Sequence, residues 1–187
     1  EAGGHMAWTD GDIGSKLTVK QPEIYLVGDG ATGEVRSVAY AGPGQHQDVG
    51  AKVVHAAPNT TSRIISKSIG EGEGVITYRA HVRVDEGAIG ANCHVECDAL
   101  LLDDRSVSTA LPVTDVAEPG AQISSRATVS KITGEQLFYL LSRGLSEEQA
   151  VGLIVNGFVE PITTTLPIEY AVEWSRLIEL QIAGSVG

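Results

Sequence analysis

Through the first 130 residues, apolar and polar positions alternate in short runs. Glu23–Val27, Glu34–Tyr40, Lys52–His55, Ser62–Ile69, Val75–Val84 and His94–Leu102 are rich in Val, Ile, Thr and Tyr, residues that suit a pleated, half-buried surface. Glycine-containing breaks at 28–30, 42–44, 70–74 and 86–90 separate them and read as turns. Strand starts recur roughly every 10–12 residues with no helix between them, a spacing open to a sandwich, a barrel or a solenoid. Small residues at the expected corners (Gly33, Gly50, Gly74 and Ala91) favour stacked coils. The pattern therefore predicts a mainly β chain, with a parallel β-helix over residues 1–131.

After Lys131 the period changes. Thr133 with Gln136 forms a capping box, followed by Leu137, Phe138, Leu140 and Leu141 on one helical face, and Gly144 stands where a helix-ending glycine belongs. Ser146 with Gln149 opens a second helix carrying Ala150, Val151, Leu153, Ile154 and Val155, with Pro161 placed past its end. Pro167 starts a third, whose apolar stripe is Ala171, Val172, Trp174, Leu177, Ile178 and Ile182. Residues 132–187 thus form a C-terminal helical segment that either caps the solenoid or docks a partner.

Composition sharpens the picture. Aromatic residues make up 5% of the 187 positions while glycine occurs 22 times, which suits a narrow, turn-rich core better than a wide one. The formal charge of −11 repels phosphate, so nucleic acid and anionic membrane are poor partners. No apolar run is long enough for a transmembrane helix, and residues 1–6 lack the pattern of a signal peptide. Position 1 is Glu rather than Met, so the sequence reads as a fragment or a short divergent chain. Gly28-Asp29-Gly30 and Gly70 to Gly74 match no phosphate loop, so no nucleotide is expected on this chain. His46, His55 and His81 have no metal-site spacing.

The chemistry concentrates in CHVECDALLL, residues 93–102, which holds both cysteines. Metal site, disulfide, reactive thiol and apolar packing are the alternatives. In one strand their Cα atoms lie about 13 Å apart, beyond the ~7 Å limit for bridging. They read as reduced thiols of a cytoplasmic protein. Cys93, Val95 and Cys97 share one strand face and His94 and Glu96 the other, so the segment does not complete a four-ligand site by itself. On pattern alone each cysteine is more often a small buried hydrophobe than a reactive group.

A set of ordered matches then appears. Ala127 to Ile132, Gln136 to Leu140, Ser142 to Glu148, Ile154 to Phe158 and Leu166 to Glu173 resemble the C-terminal signature of the SufB/SufD family, scaffold proteins of the SUF iron–sulfur cluster assembly system. Trp8 to Ser15 resembles the start of that family's β-helix core, and the ending Gly184-Ser185-Val186-Gly187 looks like SufB rather than SufD. The resemblance implies a right-handed parallel β-helix followed by helices, and a non-enzymatic scaffold. It implies three partners: a SufC-like ABC ATPase on the helices, a SufB/SufD-type paralogue or second copy beside the coils, and a sulfur-donor protein. It also implies a transient iron–sulfur cluster. Cys97, which leads Cys97 to Leu102, matches the family's sulfur-receiving and cluster-holding cysteine; Cys93 is left as packing.

The family's His-Glu pair before Ala-Thr falls here on Ser125 and Arg126. Serine is a poor iron ligand and arginine stays protonated. Arg126 either lowers the pKa of a nearby thiol or pairs with a surface carboxylate. Phe138, Tyr139 and Tyr170 are the expected contacts of the ATPase. Two other classes compete. An acyltransferase on a left-handed solenoid lacks its hexapeptide period here, and a purely structural or binding solenoid would carry a degenerate cluster site.

Overall fold

A computed structural model describes residues 1–182, so the expectation on residues 184–187 lies outside the described residues. Ten strands precede three helices: β1 (His5–Ile13), β2 (Leu17–Lys20), β3 (Glu23–Leu26), β4 (Thr32–Ala41), β5 (His46–His55), β6 (Thr61–Gly70), β7 (Val75–Val84), β8 (Asn92–Leu101), β9 (Val107–Val116), β10 (Gln122–Lys131), α1 (Gly134–Ser142), α2 (Glu147–Thr163) and α3 (Ile168–Ile182). Every strand pair is parallel, in two sheets ordered β1-β4-β6-β8-β10 and β2-β5-β7-β9, with β3 also on β5. This is the expected β-solenoid with a helical C-terminal segment.

Each coil contributes one strand to each sheet. Side chains alternate between the bore and the outside, most plainly in β7, where Ile76, Tyr78, Ala80, Val82 and Val84 point inward and their neighbours outward. Parallel register stacks equivalent positions into columns, such as Val35, Ile64 and Val95. These columns form a bore of mostly Val, Ile and Ala. Burial of each such branched side chain contributes about 1.5–3 kcal/mol.

A second core lies on the other side of the β1-to-β10 sheet. Val38, Tyr40, Ile65, Ile69 and Leu100 point outward and are covered by Val155, Val159 and Ile162 of α2 and Ile178 of α3. Both capping boxes form, at Thr133 with Gln136 and at Ser146 with Gln149. Gly144 takes φ +91°, a left-handed conformation that glycine adopts without Cβ strain. No residue of α1 is buried: of the apolar face read from Leu137, Phe138, Leu140 and Leu141, Phe138 and Leu141 are exposed and Leu137 and Leu140 are half-buried. The stripe of α3 is covered only in part: Ile178 is buried, whereas Val172 is 63% exposed.

Three expectations are corrected. Main strand rows from β4 onward start at residues 32, 46, 61, 75, 92, 107 and 122, so the true spacing is 14 to 17 residues, with ten-residue rows and short turns. Gly33 and Gly50 sit within strands rather than at corners. A Cβ on Gly33 would press on Ile24 and Leu26 at 3.2 Å, and one on Gly50 would lie 2.2 Å from the Arg79 carbonyl oxygen, so these glycines serve close approach. Pro161 lies inside α2, not past it. The helix continues because Val159 and Ile162 are buried on the sheet, and the Thr164 backbone and hydroxyl both donate to the Glu160 carbonyl.

Candidate functional site

Strand β8 brings CHVECDALLL across the solenoid near its last coil. Cys93, Val95 and Cys97 face the bore and His94, Glu96 and Asp98 face outward, as strand alternation requires. Both thiols are free and buried. Cys97 stands in a column with Asp10, Ser37 and Ser66, and its partner above is Ala127 of β10. Polar groups therefore run up this column of the bore and end at Cys97. A cavity of about 20 Å³, lined by Ser68, Tyr78, Cys97, Ser108, Ala110 and Ala127 among others, adjoins the thiol. That is room for about one water.

Burial, with the Asp98 and Glu96 carboxylates adding to it, pushes the Cys97 thiol up to about 12. It is protonated at neutral pH while the coil is closed. Burial also raises the thiol of Cys93, against the opposing pull of the Ser62 hydroxyl. Tyr78, across the bore, is driven far above the usual phenol range by burial, with Cys97 and Asp10 adding to the effect. Buried His55 contacts the hydroxyls of Thr60 and Ser62 at 2.8 Å through its two ring nitrogens. Thr60 donates its own proton to the Ala57 carbonyl, so His55 Nδ1 donates to Thr60 and Nε2 accepts from Ser62. Burial lowers its pKa and keeps it neutral.

Ser125 and Arg126 lie on β10, on opposite faces. Ser125 is level with Val95, one inward position away from the Cys97 column. Arg126 points outward and reaches Glu96 Oε1 at 2.9 Å and Asp98 Oδ2 at 3.7 Å, on the face opposite the thiol. Of its two possible roles, it takes the carboxylate pair. Among the described residues, no three His, Cys, Asp or Glu side chains gather to hold a metal ion.

Sequence reasoning missed the outer cluster around these carboxylates. Lys67 of β6, only 7% exposed, donates to Asp98 Oδ2 at 2.6 Å and lies 3.6 Å from Glu96 Oε1. Its ammonium sits 5.1 Å from the ring centre of Phe158 on α2. The Thr128 hydroxyl of β10 donates to Asp98 Oδ1. Burial alone would raise the Asp98 carboxyl; the Lys67 ammonium and Thr128 hydroxyl outweigh it and hold it below the usual range. The available signal was a lysine between Ile65 and Ile69 in an outward apolar row.

The three aromatic residues expected at a partner surface are exposed: Phe138 73%, Tyr139 56% and Tyr170 66%. Phe138 and Tyr139 lie on α1 and Tyr170 in the first turn of α3. A separate groove of about 550 Å³ runs beside α2 and α3, lined by Ser146, Gln149, Gly152, Leu153, Asn156 and Glu179 among others, and includes none of the three. No helix among the described residues is long and apolar enough to cross a membrane.

Comparison with known proteins matches residues 1–158 to the family described as "SUF system FeS cluster assembly, SufBD core domain". An iron–sulfur cluster assembly SufBD family protein of Mycobacterium tuberculosis is 54% identical over all 187 residues, which is 22% of its own length. The iron–sulfur cluster assembly protein SufB of Bacillus subtilis is 51% identical over 182 residues, 97% of this chain and 39% of that protein. A SufBD family protein of Staphylococcus epidermidis is 50% identical over 184 residues, 98% of this chain and 40% of that protein. The chain thus spans well under half the length of these relatives.

Proposed function

This chain belongs to the SufBD family of iron–sulfur cluster assembly proteins, and on that premise we propose that it is the scaffold of a SUF assembly complex. Its role is structural rather than enzymatic, it works in the cytoplasm, and the nascent cluster is its cargo. Cys97 receives sulfur from a donor protein and holds the cluster through its thiolate, the soft ligand that iron requires. The observation that carries this reading is the place of Cys97, one rung beneath β10, the last strand of its sheet, whose outer edge no other strand among the described residues pairs. A SufB/SufD-type paralogue or a second copy covers that open end and supplies the ligands that Ser125 and Arg126 do not offer.

The two-part organisation fits this division of labour. Residues 1–131 form the assembly core, and residues 132–187 dock a SufC-like ABC ATPase through Phe138, Tyr139 and Tyr170. Nucleotide is bound and hydrolysed by that partner. The exposure of all three aromatic residues supports the assignment, as does the lack of any buried residue in α1. The test is anaerobic reconstitution with iron and sulfide of the complex copurified with its ATPase. Cys97→Ser should abolish cluster retention, while Cys93→Ser should retain it. Equal retention in wild type and Cys97→Ser overturns the assignment.

A second reading is a binding solenoid with a degenerate site. The pairing of Arg126 with Glu96 and Asp98, together with the closed bore around Cys97, favours it. Under it, no combination of partner and reductant yields iron in the complex.

A further inference from the structure

Lys67 interrupts an otherwise apolar contact between the sheet and the helices. Its neighbours in the outward row, Ile65 and Ile69, both pack in the core beneath the helices, and the residue beneath it in its column is Val38. A simple cover for the sheet would continue with Val or Ile. Removing an ammonium from water is costly, and a buried ion pair often stabilises no more than an apolar replacement. What the lysine adds is connection. It joins Phe158 of α2 to Asp98 of β8, and Asp98 also holds Thr128 and approaches Arg126, both of β10.

Asp98 follows Cys97 in the chain, and the two point to opposite faces of the same strand. Strand β10 closes over Cys97 through the pair Cys97–Ala127. We infer that Lys67 is a positioning residue that couples the seating of α2 to the closure of β10 over Cys97. With α2 down, Lys67 holds Asp98 in place, Asp98 holds Thr128, and the thiol is shut in the bore. When α2 lifts, the ammonium loses the aromatic face and the covered site that fix it. The outer pins of β10 then loosen and the thiol opens. The inference rests on the reading of Cys97 as the working thiol only for its purpose; the coupling itself is a property of this chain.

The test measures native-state labelling of each thiol by a small disulfide reagent in the full chain, using Cys97-only (Cys93→Ser) and Cys93-only (Cys97→Ser) proteins. Lys67→Met keeps the length and apolar stem of the side chain but removes its charge. It should speed labelling of Cys97 roughly tenfold relative to Cys93, the signature of a local rather than a global opening. Phe158→Leu should give a smaller shift of the same sign, and Lys67→Arg should restore the wild-type ratio. Val159→Ala loosens α2 without touching the cluster, so it should shift the ratio in the same direction, and that shift should be lost in the Lys67→Met background, where the link from α2 to β10 is already cut. An unchanged ratio in both Lys67→Met and Phe158→Leu overturns the coupling, as does a Val159→Ala shift that persists undiminished beside Lys67→Met. A shifted ratio in a chain whose Cys97→Ser variant still assembles cluster keeps the coupling and removes Cys97 from assembly.

Discussion

Two apolar cores stand back to back across one sheet, and they are built differently. The bore is filled by small and β-branched residues stacked in register, each touching the coil before and the coil after. The seam beneath the helices uses larger pieces (Tyr40, Ile65, Ile69, Leu100 and Ile162) brought together from distant parts of the chain. In the bore, stability is a sum of nearest-neighbour contacts, as in other solenoids. In the seam it depends on one docking event. The comparison shows that one sheet can carry a rigid interior on one face and a separable cover on the other.

The largest expected effect breaks the bore. Ile64→Ala removes a fully buried column residue and should cost about 4 kcal/mol. Because neighbouring coils depend on it, strand signal and helix signal should be lost together in urea. Ile162→Ala breaks the seam instead, at a cost of about 3 kcal/mol. Its helical circular dichroism and the fluorescence of Trp174 should change at lower urea than the β signal. Coincident transitions in both variants would mean that the two cores form one cooperative unit.

Titration sharpens the same contrast with two aspartates. Asp12, in the first coil, has its pKa raised by burial against the opposing effect of Lys20. A carboxyl raised on folding contributes stability below its unfolded value near 3.8, and that contribution is lost as pH rises through the higher folded value. Asp98, at the seam, has its pKa lowered, so its contribution is present above 3.8 and is lost as pH falls through the lower folded value. Relative to Asp12→Asn, wild type should therefore gain stability as pH falls from 7 toward 4. Relative to Asp98→Asn, it should lose stability below 3.8. Unfolding curves across that range, showing the same sign for both pairs, would contradict the assignment. The smallest effect belongs to the open face of α1. Phe138→Ala should change stability by less than about 0.5 kcal/mol, while reducing capture of the proposed ATPase partner.

The parts of the molecule that were legible in the sequence are those set by local rules. Both capping boxes, Gly144 and the shared face of Cys93 and Cys97 follow from residues within a few positions of one another. The coil period is hard to read from sequence because the inside–outside pattern blurs wherever the helices bury outward residues. Val38 to Ala41 is apolar on both faces, while polar Ser66, Lys67 and Ser68 interrupt β6, so neither ten-residue row shows a clean alternation. The role of Lys67 was hidden for the same reason, since nothing within ten positions shows that a helix from residue 147 onward will cover it. The closed state of Cys97 was equally out of reach, because it depends on β10 stacking above and Tyr78 crossing from the other sheet.

The seam also has a consequence for how the chain is made. Each coil needs only the coil just finished, so the solenoid stacks as it leaves the ribosome. Val38, Tyr40, Ile65 and Ile69 have no cover until α2 and α3 are synthesised and fold back over them. Throughout translation of the later coils, this row of large apolar side chains faces solvent and neighbouring nascent chains. The protein is therefore most open to wrong association after most of its strands have formed, and the last helices, by covering that row, end the exposure.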